Sequence, residues 1–475
     1  MTCQLPSDCL NEILEYLEED RHTLYSCLLV NRLWCEISVR ILWRNIWNCE
    51  ISLQRRYQIL NTLISCLSNE SKELLRKNEM SILTPTPKLP LFNYAAFCKF
   101  LSINYISETV SNVLEDELLS SRKHLVTEEI IKMFANQITS LRKLFYYNNY
   151  IDFSFPYFPG LKDLSELYCS SNLSPNFFYQ LSQICHNLHT LSIQFNHYVT
   201  PNELKQLISL QKNLEVLVLS AYDDVSWEDV IPALKNNSNT ITKLYLYGDS
   251  SNLPFSFISL LSNLQEFIFS FLDGSYFEDF EQLQHVNFPN LQTLKFPYQY
   301  PRPEYITKFL ENNGKNLKML CIGDSNKALN LSIANFCPNL KRLFKIFSNN
   351  ELDILKTIFN NCQYLESITI WCGKYYLSEK EVFETVANYS PINFCELKID
   401  NIESHSDISS EDLETFFISW KNRIPKRILS LIIIKDLYNN LDDYEENMKI
   451  IEKYENLGVI RFSTISLEEE NKEEY

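Results

Sequence analysis

Apolar residues along the second two-thirds of the chain return in one short pattern, x-L-x-x-L-x-L, with Ile, Phe, Tyr or Cys standing in for leucine. Thirteen copies run from SLRKLFY to NLGVIRF. Their first apolar residues are Leu141, Leu164, Leu188, Leu214, Ile241, Leu264, Leu291, Leu317, Leu340, Leu365, Phe394, Ile428 and Leu457. Successive copies lie 23 to 34 residues apart. The closing L-x-L of each copy predicts a short strand whose alternate side chains enter a core. The residues between copies carry helix signals. Thr200, Pro201 and Glu203 in TPNELKQLISL predict a helix with Thr200 as N-cap and Pro201 in the first helical position. Ser378 with Glu381, and Ser226 with Asp229, predict two further starts. Strand, turn and helix in alternation predict a right-handed solenoid, with parallel strands on a concave side and the returns on a convex one.

A period of about 20 to 29 residues is that of leucine-rich repeats. The expected fold class is therefore α/β: a curved solenoid of about thirteen such repeats over residues 138–466, with a parallel concave sheet. An asparagine is expected three residues after the last apolar residue of each strand. Asn149, Asn172 and Asn196 meet that expectation, while Tyr222, Leu272 and Gly373 replace it later. Lys345 falls in an apolar slot of copy nine, where a one-residue slip would exchange the buried and exposed faces. Positions three and five, counted from the first apolar residue, face the concave side, as does the residue after the last apolar one. Phe145, Tyr147, Tyr168, Tyr245, Tyr247, Phe344 and Trp371 fall there, with Lys143, Glu166, Lys243, Lys295, Arg342 and Arg461 among them. Aromatics beside arginine are the types that carry binding at protein interfaces, which makes the seven aromatics candidate binding residues. With 27 Tyr and 30 Phe in the chain, plain cover of the sheet accounts for any one of them nearly as well.

The N-terminal stretch LPSDCLNEILEYL has a helical period instead. Leu10, Ile13, Leu14 and Leu17 make one stripe, and Pro6 stands at its start. TLYSCLLV and the segment bearing Trp34, Ile37, Ile41 and Leu42 complete three short helices within residues 1–47. A unit of that size is near the lower limit for folding alone, and its core is expected to finish against a partner or the next domain. Residues 48–137 read as a helical connector and N-terminal cap. It holds one amphipathic run from Arg55 to Asn78 and a proline loop from Thr84 to Pro90. Two further segments, NYAAFCKFLSINYI and TEEIIKMFANQI, are expected to cap the first repeat. Residues 467–475 form an acidic tail, expected to be disordered.

Composition narrows the function classes. The chain has 475 residues, more than the roughly 250–300 at which one core stops growing, so several modules or a repeat array are expected. Only 7 glycines leave little room for phosphate-cradling loops. A net charge of −17 argues against nucleic acid or an anionic membrane as the main partner. No uncharged apolar run reaches the length of a membrane span. Asp8, Glu12, Glu15, Glu18, Glu19 and Asp20 interrupt the apolar residues where a secretory signal would need an unbroken run. The 14 cysteines contain no C-x-x-C pair and read as reduced thiols of an intracellular protein, cytoplasmic and/or nuclear, with no metal or cofactor. His186 and His189 are spaced i, i+3, but Leu188 between them fills a core slot and a ligand role is not expected. No ordered nucleophile and base, paired-carboxylate site or phosphate loop stands out, so no catalytic residue is assigned.

One ordered set of residues remains: Leu5-Pro6, Ile13-Leu14, Leu17, the stretch CLLVNRLW, and Leu42-Trp43. Over residues 4–47 it resembles the F-box family. With leucine-rich repeats behind it, the arrangement resembles that of F-box/leucine-rich-repeat substrate receptors of Skp–cullin–F-box ubiquitin ligases. The resemblance implies a Skp-type adaptor as partner, and through it a cullin and a RING subunit. It also implies that the repeats hold a protein substrate for ubiquitination while the chain itself does no chemistry. By motif match Leu5, Pro6, Ile13, Leu14, Leu17, Leu24, Leu28, Val30 and Trp34 fall where the family contacts the adaptor or supports those contacts. The chain departs from the family at Asn11-Glu12, where many members have another apolar residue. Two other readings stand beside this one. The chain could be a repeat scaffold or inhibitor whose N-terminal helices only cap the solenoid, or a cysteine-dependent ligase.

Overall fold

A computed structural model describes residues 5–47, 52–78, 90–114, 120–147, 155–196, 200–223, 225–249, 253–272, 277–401, 406, 408–435, 441 and 445–466. The chain divides into two units, residues 1–219 with 229–240 and residues 220–228 with 241–475.

The first unit opens with three helices, α1 (Ser7–Glu15), α2 (Arg21–Cys27) and α3 (Arg32–Leu42). Their apolar stripes meet in a core of Leu10, Leu14, Leu24, Cys27, Ile37, Ile41 and Leu42. Local chemistry fixes each start. Extended Pro6 precedes α1, the Asp20 carboxylate accepts the Thr23 N–H ahead of α2, and the Asn31 side chain accepts the Trp34 N–H ahead of α3. The single run expected from Arg55 to Asn78 is instead two helices, α4 (Leu53–Cys66) and α5 (Asn69–Lys77). Leu67 turns extended there, and the Ser68 hydroxyl caps a new start by accepting the Ser71 N–H. Of the proline loop only Pro90 is among the described residues; Asn149 and the tail 467–475 lie outside them.

The connector also contains a strand. β1 (Phe100–Ser102) leads straight into α6 (Ile103–Val113), and α7 (Ser120–Gln137) follows. β1 pairs in parallel with β2 (Lys143–Tyr146), Leu101 opposite Leu144. β3 (Glu166–Ser170) and β4 (Thr190–Phe195) continue in parallel, and β5 (Val216–Ala221) comes next along the chain. The second unit carries β6 (Lys243–Gly248), β7 (Glu266–Phe271), β8 (Thr293–Phe296), β9 (Met319–Ile322) and β10 (Arg342–Lys345). It closes with β11 (Ser367–Cys372), β12 (Glu396–Asn401), β13 (Leu429–Lys435) and β14 (Ile460–Ser466). Each of the eight strands after β6 lies parallel to its predecessor in the unit. The fold is mixed α/β, and all thirteen sequence copies form strands, β2 to β14.

Stacking is held by a forked hydrogen bond that recurs from copy to copy. The carbonyl of a copy's second residue accepts the N–H groups of the next copy's second and third. Arg142 O accepts from Ser165 and Glu166 at 2.9 and 3.0 Å. In the second unit Thr242 O accepts from Gln265 and Glu266 at 2.7 and 3.0 Å. Alternate strand residues fill the interior. Phe269 lies 4.3 to 5.6 Å, ring to ring, from Phe255, Phe271, Phe277 and Phe296.

Several expectations change. Lys345 causes no slip: it lies opposite Ile322 and Ile370 and is wholly buried, its amine donating to the Asp324 carbonyl. Burial pushes that amine down to about 8. Thr200 is not a cap, because the helix Asn202–Ser209 begins after an extended Pro201. Ser226 precedes a 3-10 turn, Glu228–Val230, that runs into a four-residue helix, Ile231–Leu234, and its hydroxyl accepts the Glu228 N–H instead of that of Asp229. Ser378 and Glu381 do form a full capping box. Ile428 and Leu457 are 45% and 53% exposed instead of buried. Leu431 pairs with Phe462, so the last copy sits two residues later than the spacing suggested, and buried Val459 takes the place of Leu457. An even shift keeps the same faces in and out.

Candidate functional site

The nine motif residues of the N-terminal module divide by burial. Leu14 and Leu24 belong to its core, and Leu17, Leu28 and Trp34 pack against that core half-buried. Leu5, Pro6, Ile13 and Val30 are exposed. Tyr16 and Leu29, 90% and 88% exposed, add to this apolar surface although the motif did not single them out. The only sequence signal for them is adjacency, Tyr16 to Leu17 and Leu29 to Val30. At the point of departure from the family, the Asn11 amide donates to Glu15 at 3.3 Å.

The end of the module is built into the repeats. The Arg44 guanidinium grips the Glu15 carboxylate with two hydrogen bonds, tying α1 to the end of α3. Those bonds hold the Glu15 carboxyl below its ordinary range. The Arg44 carbonyl accepts the Lys99 and Phe100 N–H groups at 2.9 and 3.1 Å. That is the forked bond of the repeats, made one step before β1. Trp47 then donates its indole N–H to the Phe100 carbonyl at 3.0 Å. LWRNIW therefore covers a strand edge that would otherwise offer unpaired backbone groups.

Beyond that edge the predicted aromatics of the first unit come together. Phe145 and Tyr168 stack with centroids 4.5 Å apart, and the Lys143 amine lies 5.1 and 4.7 Å from the two rings. Lys143 also pairs with Glu166 at 2.9 Å, and the Tyr168 hydroxyl donates to Glu166 at 3.2 Å. Burial, with the Glu166 charge, raises the Tyr168 phenol. Tyr147 places its hydroxyl 3.3 Å from that of Ser192, its backbone N–H donates to the Asn104 side chain at 2.9 Å, and burial pushes its phenol up to about 12.

In the second unit the predicted aromatics form two separate patches. Tyr245 and Tyr247 lie half-buried on β6, while Phe344 meets Trp371 edge-on at 6.1 Å on β10 and β11. Lys243 pairs with Glu266 at 3.2 Å, Lys295 is buried, and Arg342 and Arg461 are exposed. The two histidines of HNLH part company: the His186 ring contacts the Ser182 carbonyl at 3.1 Å and His189 faces Glu215 at 3.6 Å. Among the described residues no group of three or more His, Cys, Asp or Glu is placed to hold a metal. Among them, too, no helix is long and apolar enough to cross a membrane.

Comparison with known proteins bears on both parts. The F-box-like family model matches residues 2–49. Residues 2–49 therefore carry an F-box-like domain, and repeated strand-and-helix units of leucine-rich-repeat pattern follow it. No curated protein matches the sequence. Among solved structures, a chain of the yeast Rad7 and Elc1 complex is similar at 14% identity and a TM-score of 0.36, over 92% of this chain and 94% of that one. The leucine-rich-repeat-containing protein LegL7 of Legionella pneumophila is similar at 14% identity and a TM-score of 0.31, over 69% and 86%. A leucine-rich-repeat protein of Leptospira interrogans follows at 16% identity and a TM-score of 0.24, over 68% and 96%.

Proposed function

We propose that the chain is the substrate-recognition subunit of a Skp–cullin–F-box ubiquitin ligase. One observation carries the reading: an F-box-like domain keeps Leu5, Ile13, Tyr16, Leu29 and Val30 in solvent while its core is complete without them. Five large apolar side chains left in water on so small a module support an interaction surface there. A Skp-type adaptor is the partner that surface fits, and the adaptor in turn joins the cullin and RING subunit. The repeats then hold a protein substrate through their outward aromatics, raising its effective concentration near the charged conjugating enzyme without supplying a nucleophile. Catalysis through a core cysteine is disfavoured. Burial pushes the thiols of Cys98, Cys185 and Cys362 up to about 12, opposite to what a nucleophilic thiolate needs.

Capping of the solenoid has its own support, in the Arg44 carbonyl and the Trp47 indole. The two roles use different residues and coexist. Co-expression with a Skp-type adaptor followed by affinity capture tests the docking half. Ile13→Asp with Leu29→Asp should abolish adaptor recovery while leaving the helical content unchanged. Undiminished recovery of adaptor and cullin would refute it.

A further inference from the structure

We infer that a cavity between the N-terminal module and the first two strands binds a lysine or arginine side chain on an extended segment of a protein substrate. This rests on the receptor reading above and narrows it to a substrate class. The cavity measures about 680 Å³ and draws its walls from the α1–α2 turn, the end of α3, β1, the start of α6 and β2. Such a volume is in the range of sites that enclose most of a small ligand. It has room for one long side chain and parts of its neighbours.

Charge decides which side chain. Glu18, Glu19 and Arg21 line it from the α1–α2 turn and the first residue of α2, and Lys143 lines it from β2. Lys143 is paired with Glu166 and lies against two ring faces, whereas Arg21 donates to the neutral Asn45 carbonyl and keeps its charge. The carboxylates are not matched in the same way. The Arg44 guanidinium is 3.9 Å from Glu18 and is gripped by Glu15, and among the described residues Glu19 has no ion-pair partner. With these partners included, Glu15, Glu18, Glu19 and Glu166 outnumber Arg21, Arg44 and Lys143 by one, so the cavity is left with a single excess negative charge. The remaining lining is aromatic, with Trp47, Phe100, Phe145 and Tyr147 among it. Ring faces attract cations, and carboxylates beside them offset the cost of removing a cation from water. An anionic group in the same place would meet Glu18 and Glu19, with Arg21 alone to receive it.

The test uses full-length protein co-purified with a Skp-type adaptor, and acetylated, amidated peptides Gly-Ser-Leu-Xaa-Leu-Ser-Gly in which Xaa is arginine, lysine, norleucine or glutamate. Binding is followed by fluorescence anisotropy of labelled peptides and by tryptophan emission. The arginine and lysine peptides should bind at least tenfold more tightly than the other two, with a preference that shrinks as salt rises. Glu18→Gln with Glu19→Gln should erase the preference without reducing adaptor recovery. Equal binding of all four, a preference for glutamate, or no binding by protein that still recovers adaptor would overturn the inference and leave the receptor reading standing. Arginine-selective binding by wild-type protein that recovers no adaptor would sink the receptor reading alone.

Discussion

The helical module and the repeats treat the same kind of residue in opposite ways. Every first apolar residue of a copy from Leu141 to Phe394 is buried. Leu5, Ile13, Tyr16, Leu29 and Val30 of the module stay in water. A repeat finishes its core on its neighbours, so the stack consumes apolar surface as it grows. The three short helices meet the repeats on the side of Arg44 and Trp47, and among the described residues none buries Leu5, Ile13, Tyr16, Leu29 or Val30. Apolar exposure here follows from position in the architecture, since the residue types are alike in both regions.

The contrast can be broken by substitution. Phe269→Ala, within the aromatic interior of the second unit, should cost about 3 to 5 kcal/mol, seen as a lower denaturant midpoint. Lys345 comes next, through pH. Burial holds its amine at about 8 against 10.5 for a free lysine. Between those values the unfolded chain binds more protons than the folded one. Stability should therefore rise from pH 8 to 10.5, by on the order of 3 kcal/mol, and be lowest below that window. Lys345→Met should remove the slope, and an unchanged profile would show that the amine is not what titrates. Ser378→Ala, which deletes one arm of the capping box, should cost about 1 kcal/mol. Smallest of all, Ile13→Ala with Leu29→Ala should change stability by no more than about 0.5 kcal/mol. A larger loss there would mean that these side chains belong to the core after all.

What could be read from the sequence follows the same division. Strands β2 to β14 were legible because leucine-like residues recur at fixed offsets whatever surrounds them. β1 was not, although Cys98, Leu101 and Ile103 keep the same spacing and are all buried. A cysteine holds the anchoring slot, and α6 and α7 separate the strand from Leu141, which hides its period. In the module, Ile13 and Leu14 share a helical stripe, and only the packing of α3 sends one outward and the other inward. The cluster of Phe145, Tyr147 and Tyr168 was legible through strand alternation. The cavity beside it was not, since Glu19, Trp47, Phe100 and Tyr147 come from segments far apart in the chain. At Pro201 the misreading was local: the proline supplies an extended entry, and the helix starts one residue later.

The forked hydrogen bond at Arg44 has a mechanical meaning. Its acceptor belongs to the module and its donors to the edge of the first strand, so grip and gauge share one joint. More than fifty residues separate Arg44 from Lys99 in sequence, yet one carbonyl joins the two directly. Whatever clamps α1–α3 fixes the angle of β1 and β2 at the same moment, as a vice fixes a rule whose zero is cut into its own handle.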